Sequence, residues 1–115
     1  MKKNNTEGKV FCMQLKGRQR FFRLLGDSGK IRGLCCGLVT LKPQELIGKH
    51  KTEDKEEVLI ILKGSAIVYY GKNKKLKASQ NTFVFIPAET LHNVKNSGNK
   101  ILQYVYVTSR VDFFA

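Results

Sequence analysis

The sequence predicts an all-β domain, either a sandwich or a barrel, on two observations. Short apolar and β-branched segments of strand length recur along the chain, and turn-forming residues separate them about every 8–12 residues. No internal repeat and no low-complexity segment interrupts this rhythm. The segments with the strongest strand pattern are 33–41, 58–62, 66–70, 82–86 and 101–107, and residues 71–75 predict a hairpin turn.

The N-terminal part of the chain has weaker signals. Residues 9–15 alternate between apolar and polar side chains, which we interpret as a strand. Residues 20–25 contain Phe21, Phe22, Leu24 and Leu25 and favour a second strand. A helix over 18–25 is the competing interpretation, but that segment is short and rich in aromatic side chains.

Length and composition indicate one domain. The chain has 115 residues, enough for a single core, and we expect a flexible tail at 1–8 followed by one domain over 9–115. No apolar run approaches the roughly 18 residues that span a membrane, and the N-terminus lacks a signal-peptide core. We therefore expect a cytoplasmic protein with no membrane partner. Cys12, Cys35 and Cys36 have no disulfide or zinc-site spacing, so free thiols are expected.

The chain is strongly basic, with a formal net charge of +12 and a pI near 9.9. Such a charge can indicate a nucleic-acid partner. The lysines are scattered, however, and the densest group, Lys72, Lys74, Lys75 and Lys77, surrounds the expected hairpin turn. Because no helix-turn-helix pattern or aromatic-basic face is evident, we expect no specific nucleic-acid binding, only weak and salt-dependent association.

The candidate site consists of the chain's two histidines and one carboxylate. His50 precedes Glu57 by seven residues, and His92 lies five residues after Pro87 on another strand-like segment. Neutral imidazoles and a carboxylate bind divalent transition metals and resemble the facial triad of non-haem iron sites. His50 and Glu57 flank a turn, so we expect their segments to pair as antiparallel strands. The alternative is a metal-free pocket in which Glu57 accepts hydrogen bonds from the histidines.

Two segments of the sequence resemble the motifs of the cupin superfamily. The first runs from Gln44 through His50, Thr52 and Glu57 to Gly64, and the second runs 81–96, from Asn81 through Pro87, Glu89 and His92 to Asn96. The spacings follow the family pattern, and the resemblance covers about 33–107. Three family glycines are replaced, by Gln44, Asn81 and Glu89. Thr52 stands where the family has the second histidine of its first motif.

The resemblance implies a fold, a ligand set and an assembly. The fold is a jelly-roll barrel, also called a double-stranded β-helix, and small cupins commonly form homodimers. Metal-binding relatives use three histidines and a glutamate, of which His50, Glu57 and His92 remain here. The expected cofactor is a divalent transition metal: iron, manganese, nickel or zinc.

Four further residues are expected to line the pocket. Thr52 is placed there by the resemblance, although it is a poor replacement for a histidine ligand. Tyr104 and Tyr106 share one face of the last strand, and Cys35 shares a face with Val39. Phe83 and Phe85 are interpreted as packing residues.

Three functional classes remain open at this stage. The first is a metal-binding domain with a small-molecule pocket in the barrel, and whether it is an enzyme stays undecided. The second is a metal-free ligand-binding or sensor domain. The third is an enzyme, either a metal-dependent dioxygenase or an isomerase of sugars or keto acids, because fold alone does not fix function.

Overall fold

The computed structural model describes residues 10–26 and 33–111, and within them it contains strands and no helix. Two antiparallel sheets face each other, one of five strands in the order β1-β2-β9-β4-β7 and one of four in the order β3-β8-β5-β6. The strands are β1 Phe21–Leu25, β2 Leu34–Leu41, β3 His50–Lys51, β4 Lys55–Lys63, β5 Ser65–Tyr70, β6 Lys74–Ser79, β7 Thr82–Ile86, β8 Leu91–Asn96 and β9 Leu102–Arg110. This confirms the all-β jelly-roll prediction.

The chain crosses repeatedly between the two sheets, as a double-stranded β-helix requires. Crossings follow β2, β3, β4, β6, β7 and β8. Most of them contain a residue with left-handed backbone, where chirality favours glycine. These residues are Gln44 (φ 69°), Glu53 (59°), Gly64 (87°), Asn81 (67°) and Glu89 (57°). Gln44, Asn81 and Glu89 are the three positions where the resembling family has glycine, so the backbone keeps the conformation although the residue has changed.

Alternation along the strands separates the core from the surface. On β4, Leu59 and Ile61 are buried while Ile60 between them is 40% exposed. Successive side chains of a strand point to opposite faces, so the odd-numbered residues of β4 face the interior. The core between the sheets is made by side chains of both: Val39, Leu41, Leu59, Ile61, Val68, Val94, Leu102 and Tyr104.

Two predictions about secondary structure need correction. Residues 10–15 form no strand, and Lys9 lies outside the described residues, as does the predicted tail at 1–8. The strand favoured over 20–25 is observed, since Phe21–Leu25 pairs with β2, and the competing helix over 18–25 does not form. Strand β6 was expected only as part of a turn, because its run of lysines hides the pairing with β5.

Two predictions about packing are also wrong. His50 and Glu57 do not lie on neighbouring strands, since β3 pairs with β8 in the four-stranded sheet and β4 with β7 and β9 in the other. The turn between them is a crossing between the sheets. Phe83 and Phe85 do not pack in the core but are 64% and 50% exposed, because even-numbered residues of β7 face inward.

Candidate functional site

The two sheets bring His50, Glu57 and His92 together at one end of the barrel, with Glu57 and His92 buried and His50 exposed. His50 on β3 lies directly opposite His92 on β8, and their rings are 4.1 Å apart between centroids. Glu57 approaches from β4 on the facing sheet, with Oε1 3.2 Å from Nε2 of His92. Candidate ligand atoms of the three residues all lie within 4.8 Å of one another. Residues 42 positions apart in sequence therefore form one compact triad.

Hydrogen bonds to backbone carbonyls fix both imidazoles. Nδ1 of His50 lies 2.9 Å from the carbonyl oxygen of Gly48, and Nδ1 of His92 lies 3.1 Å from that of Thr90. A carbonyl oxygen can only accept, so each Nδ1 carries the hydrogen. In the neutral ring, Nε2 then presents its lone pair. Metal-binding histidines are commonly oriented by such a bond to the other ring nitrogen.

Nε2 of His92 is the most informative atom of the site. The residue is 2% exposed, and this nitrogen has no hydrogen-bond partner among the described residues. It lies within ion-pair distance of Glu57 Oε1, at 3.2 Å. A lone pair and a carboxylate facing each other in a buried site require a cation between or beside them. A metal ion fits this donor set, and a proton on Nε2 is the other way to satisfy it.

The pKa of His92 depends on its burial and on its contacts with Glu57 and Thr90. Burial alone lowers the pKa of this imidazole, but the Glu57 carboxylate and the Thr90 carbonyl stabilise its protonated form. The net result is a pKa above the usual histidine value of 6.5. A metal ion at this site therefore competes with a proton for Nε2.

Thr52 occupies the position of a histidine ligand in the family, but its side chain forms hydrogen bonds within the fold. Its hydroxyl donates to the Pro87 carbonyl over 2.8 Å and accepts from the Thr90 N–H over 2.9 Å. Thr52 is 7% exposed and belongs to the crossing between β3 and β4, while Pro87 and Thr90 belong to the crossing between β7 and β8. The residue at the family's histidine position thus ties two crossings together.

A cavity of about 290 Å³ adjoins the triad. Its lining includes His50 and Glu57, and also Thr52, Tyr104 and Tyr106, as the alternation on β9 predicts. Cys35 does not belong to this lining, and its sulfur instead accepts a 3.4 Å hydrogen bond from Arg23. Lining residues that sequence reasoning did not single out are Phe21, Ile47, Lys51, Glu53, Lys55 and Thr108.

Glycine 37 lets Tyr106 form part of the cavity wall. Gly37 on β2 pairs with Tyr106 on β9, and a Cβ at position 37 would lie 2.6 Å from the tyrosine ring. The ring instead occupies that space and stacks on Phe21, with centroids 5.6 Å apart. This contact depends on strand register, so the sequence offered no direct signal for it.

Both cavity tyrosines are neutral hydrogen-bonding groups. Burial raises the pKa of Tyr106 to about 12 and moves that of Tyr104 still further above the usual range. The Glu57 carboxylate adds to the shift at Tyr104. Both phenols therefore keep their proton at neutral pH and can donate to an oxygen-rich ligand.

The sequence motifs, the fold and this triad together define a cupin, and comparison with protein families agrees. The family model described as "Cupin domain" matches residues 37–108, and the chain belongs to this family. A cupin family protein with a double-stranded β-helix fold from Methanocaldococcus jannaschii has a similar structure, with a TM-score of 0.73. It is 17% identical in sequence, and the match covers 92% of this chain and 94% of that one.

Two curated relatives match in sequence. Mannose-1-phosphate guanylyltransferase RfbM of Salmonella typhimurium is 32% identical over 101 residues, which are 84% of this chain and 20% of that protein. An uncharacterized protein of Acanthamoeba polyphaga mimivirus is 39% identical over 64 residues, which are 54% of this chain and 40% of that protein. The chain thus spans less than half the length of either relative. In the described part of the chain, no helix is long and apolar enough to cross a membrane.

Proposed function

We propose that this cupin domain binds a divalent transition metal, iron, manganese, nickel or zinc, through His50, Glu57 and His92. The observation that carries the proposal is Nε2 of His92, which is buried, has no hydrogen-bond partner among the described residues and lies 3.2 Å from a carboxylate oxygen. Three protein ligands leave coordination positions open, and a bound metal would supply a Lewis acid there.

We further propose that the cavity accepts a small, oxygen-rich anion, such as a sugar phosphate or a hydroxy or keto acid. Tyr104 and Tyr106 offer phenol donors, and the exposed Lys55 adds positive charge to the lining, whereas Lys51 is paired with Glu89. The name of the Salmonella relative, a mannose-1-phosphate guanylyltransferase, supports a sugar phosphate as the first ligand to test. The chain's own residues would bind and orient the ligand.

A metal-free ligand-binding domain is the second candidate, and Thr52 favours it. The hydroxyl of Thr52 is engaged with Pro87 and Thr90, so the position of the family's remaining histidine supplies no ligand. A proton on His92 would then satisfy the contact with Glu57. The two candidates differ in whether the triad retains a metal.

Metal content per chain distinguishes these candidates. The purified protein is incubated separately with iron, manganese, nickel and zinc, desalted and measured by elemental analysis. We expect close to one ion per wild-type chain, and strong loss for His92→Ala and Glu57→Gln. Glu56→Gln is the matched control, because Glu56 is the exposed neighbour on the same strand and faces away from the triad. A wild type that retains none of the four ions would favour the metal-free domain.

We propose in addition that a second copy of the chain covers the outer face of the five-stranded sheet. Two transverse rows of apolar side chains cross this face, as the strand registers show: Phe22, Leu38, Val105, Ile60 and Phe83 in one, and Cys36, Val107, Val58 and Phe85 in the other. Phe22, Ile60, Phe83 and Phe85 in these rows are exposed, whereas Leu38 and Val105 are buried. Exposed apolar side chains of this kind commonly mark interfaces. Neither row contains a charged side chain, so two chains of net charge +12 meet there with the least repulsion.

The oxidation state of the cysteine thiols is informative about the cellular compartment. Cys12, Cys35 and Cys36 are all free. Free thiols are typical of reducing compartments, which supports our proposal of a cytoplasmic protein.

A further inference from the structure

A second concavity lies on the outer face of the four-stranded sheet. Its volume is about 360 Å³, larger than that of the cavity beside the triad, and the two share no lining residue. His92 belongs to both this groove and the triad, but its side chain is only 1% exposed. Apolar and aromatic side chains of Leu46, Tyr69 and Leu91 line the groove together with Lys49, Lys74 and Lys95.

Strand register extends this basic surface beyond the groove. Lys77, Ile67 and Lys95 pair in a row across β6, β5 and β8, and Lys75, Tyr69 and Asn93 form the next row. These residues face outward because their neighbours Ala66, Val68 and Val94 are buried in the core. The Cα atoms of Lys77 and Lys95 are separated by two strand spacings, roughly 10 Å. Tyr69 therefore lies between lysines on an exposed sheet face.

Carboxylates are segregated from this surface. The described residues carry them at Glu45, Glu53, Asp54, Glu56, Glu57 and Glu89, all in the crossings or on β4. Strands β5, β6 and β8 are described in full and contain no Asp or Glu. Among the described residues, no neighbouring carboxylate therefore neutralises the lysine charge on this face, and that charge attracts polyanions.

We propose that this face binds single-stranded nucleic acid without sequence preference. A base stacks on Tyr69 above the apolar floor of the groove, and the phosphate backbone follows the lysines of β6, β8 and the 42–49 crossing. A concave, aromatic and apolar floor suits a flat base better than the acidic surface of a protein, which offers charge alone. Oδ1 of Asn93 already accepts from the N–H groups of Gly48 and Val94, so this oxygen is not available to read a base edge.

The structure has an aromatic-basic face that we did not expect from the sequence. The aromatic-basic face was not evident there, because its lysines come from separate segments that only the β6-β5-β8 pairing brings together. Binding without sequence preference agrees with the weak, salt-dependent association expected from the charge.

Fluorescence anisotropy with a labelled oligothymidylate of about 12 nucleotides tests the proposal. The full chain is titrated at several salt concentrations, and we expect the logarithm of affinity to fall linearly with the logarithm of salt. Lys77→Ala/Lys95→Ala should weaken binding and reduce the salt slope by about 1.4, since each lost contact on a single strand removes about 0.7. Tyr69→Ala should weaken binding roughly tenfold with the slope unchanged.

Matched controls separate this face from the charge of the whole molecule. Lys63→Ala/Lys100→Ala removes the same charge from exposed positions outside the four-stranded sheet and should leave affinity and slope near wild type. Unchanged circular dichroism and melting temperature confirm that each variant is folded. Equal losses in the two double variants would overturn the proposal.

Two competitors test the chemistry of the ligand. Polyglutamate of the same charge should compete poorly, because it lacks bases to stack on Tyr69. If it competes as well as the oligonucleotide, the face is a site for acidic protein segments and the proposal is wrong. If thymidine monophosphate binds as tightly as the oligonucleotide, an extended lysine track has no role, and the proposal is equally overturned.

Discussion

The two sheets of this barrel share one core but have opposite outer surfaces. The five-stranded sheet exposes apolar side chains such as Phe83 and Phe85, and its two apolar rows contain no charge. The four-stranded sheet presents lysines beside Tyr69 and the exposed Leu91, and it has no carboxylate on β5, β6 or β8. A net charge of +12 therefore does not describe either surface. The amino-acid composition of the whole chain is an average over two surfaces of different chemistry, and these surfaces suit different partners.

The interiors of the two sheets also contribute differently to the site. The four-stranded sheet supplies both imidazoles, and the five-stranded sheet supplies the Glu57 carboxylate and the cavity tyrosines. The site is complete only when the sheets are correctly opposed. Its integrity therefore depends on the crossings as much as on the ligands.

The largest expected effect concerns the apolar outer face. Phe83→Lys places a charge in the middle of the proposed interface, and we expect a wild-type dimer to become a monomer, with association weakened at least about 30-fold. Light scattering after size-exclusion chromatography measures the mass. Leu91→Lys is the control, since Leu91 is a 44% exposed, outward-facing apolar residue of the other sheet. A wild-type chain that is monomeric at micromolar concentration would contradict the prediction.

The Thr52 contact between crossings should have the next largest effect. Thr52→Val keeps the shape of the side chain but leaves the Thr90 N–H without its acceptor, and we expect a loss of about 2 kcal/mol in unfolding free energy. Chemical denaturation provides the measurement. Thr108→Val should lose much less, because the Thr108 hydroxyl makes only a 3.4 Å contact with Cys35. Equal losses in both variants would show that Thr52 has no special role in joining the sheets.

The contact between His92 and Glu57 predicts a pH dependence with opposite signs in the two metal states. In metal-free protein the pKa of His92 is raised by folding, so its contribution to stability is fully present below about 6.5. The contribution is lost as pH rises through the folded value. In metal-loaded protein, stability should instead increase over the same range, because deprotonated Nε2 is the ligand. Melting temperatures in chelator and in excess metal give both slopes.

Glu57→Gln is the critical variant for this comparison. It should flatten both slopes, whereas Glu56→Gln should preserve them. Slopes of the same sign in chelator and in metal would mean that metal does not compete with a proton at His92.

The smallest expected effect concerns the first crossing between the sheets. Gln44 has a φ of 69°, so Gln44→Gly should relieve backbone strain and add roughly 0.5 kcal/mol to stability after the entropy cost of glycine. Gln80→Gly is the control, because Gln80 has no positive φ and should lose stability. Denaturation midpoints of both variants are compared. Destabilisation by Gln44→Gly would show that its 3.3 Å hydrogen bond to Gly98 matters more than the strain.

Much of the fold could be predicted from the sequence because most strands have a recognisable local pattern of apolar and turn-forming residues. Alternation and turns located most strands, and the two motifs indicated the barrel. Strand β6 was missed because solvent-exposed lysines replace the apolar pattern on this edge strand. Residues 10–15 alternate like a strand but have no pairing partner among the residues that the structure describes. Local pattern cannot reveal whether a partner exists.

The candidate site shows where sequence reasoning stops. Motif spacing selected His50, Glu57 and His92, but local reasoning placed His50 and Glu57 on paired strands, which is wrong. Thr52 was judged only as an absent ligand, and its contacts with Pro87 and Thr90 join residues about 35 positions away. The packing of Tyr106 over Gly37 likewise depends on register between distant strands.

The shortness of β3 has a consequence for local motion. This edge strand has only two residues, His50 and Lys51, and it pairs on one side alone. Edge segments with few hydrogen bonds open at lower free energy than the core, so the Lys51 and Thr52 amides should exchange with solvent faster than those of β4 or β9. An ion held by His50, Glu57 and His92 would fasten this edge to both sheets. Amide protection at β3 would then report occupancy of the triad directly, residue by residue.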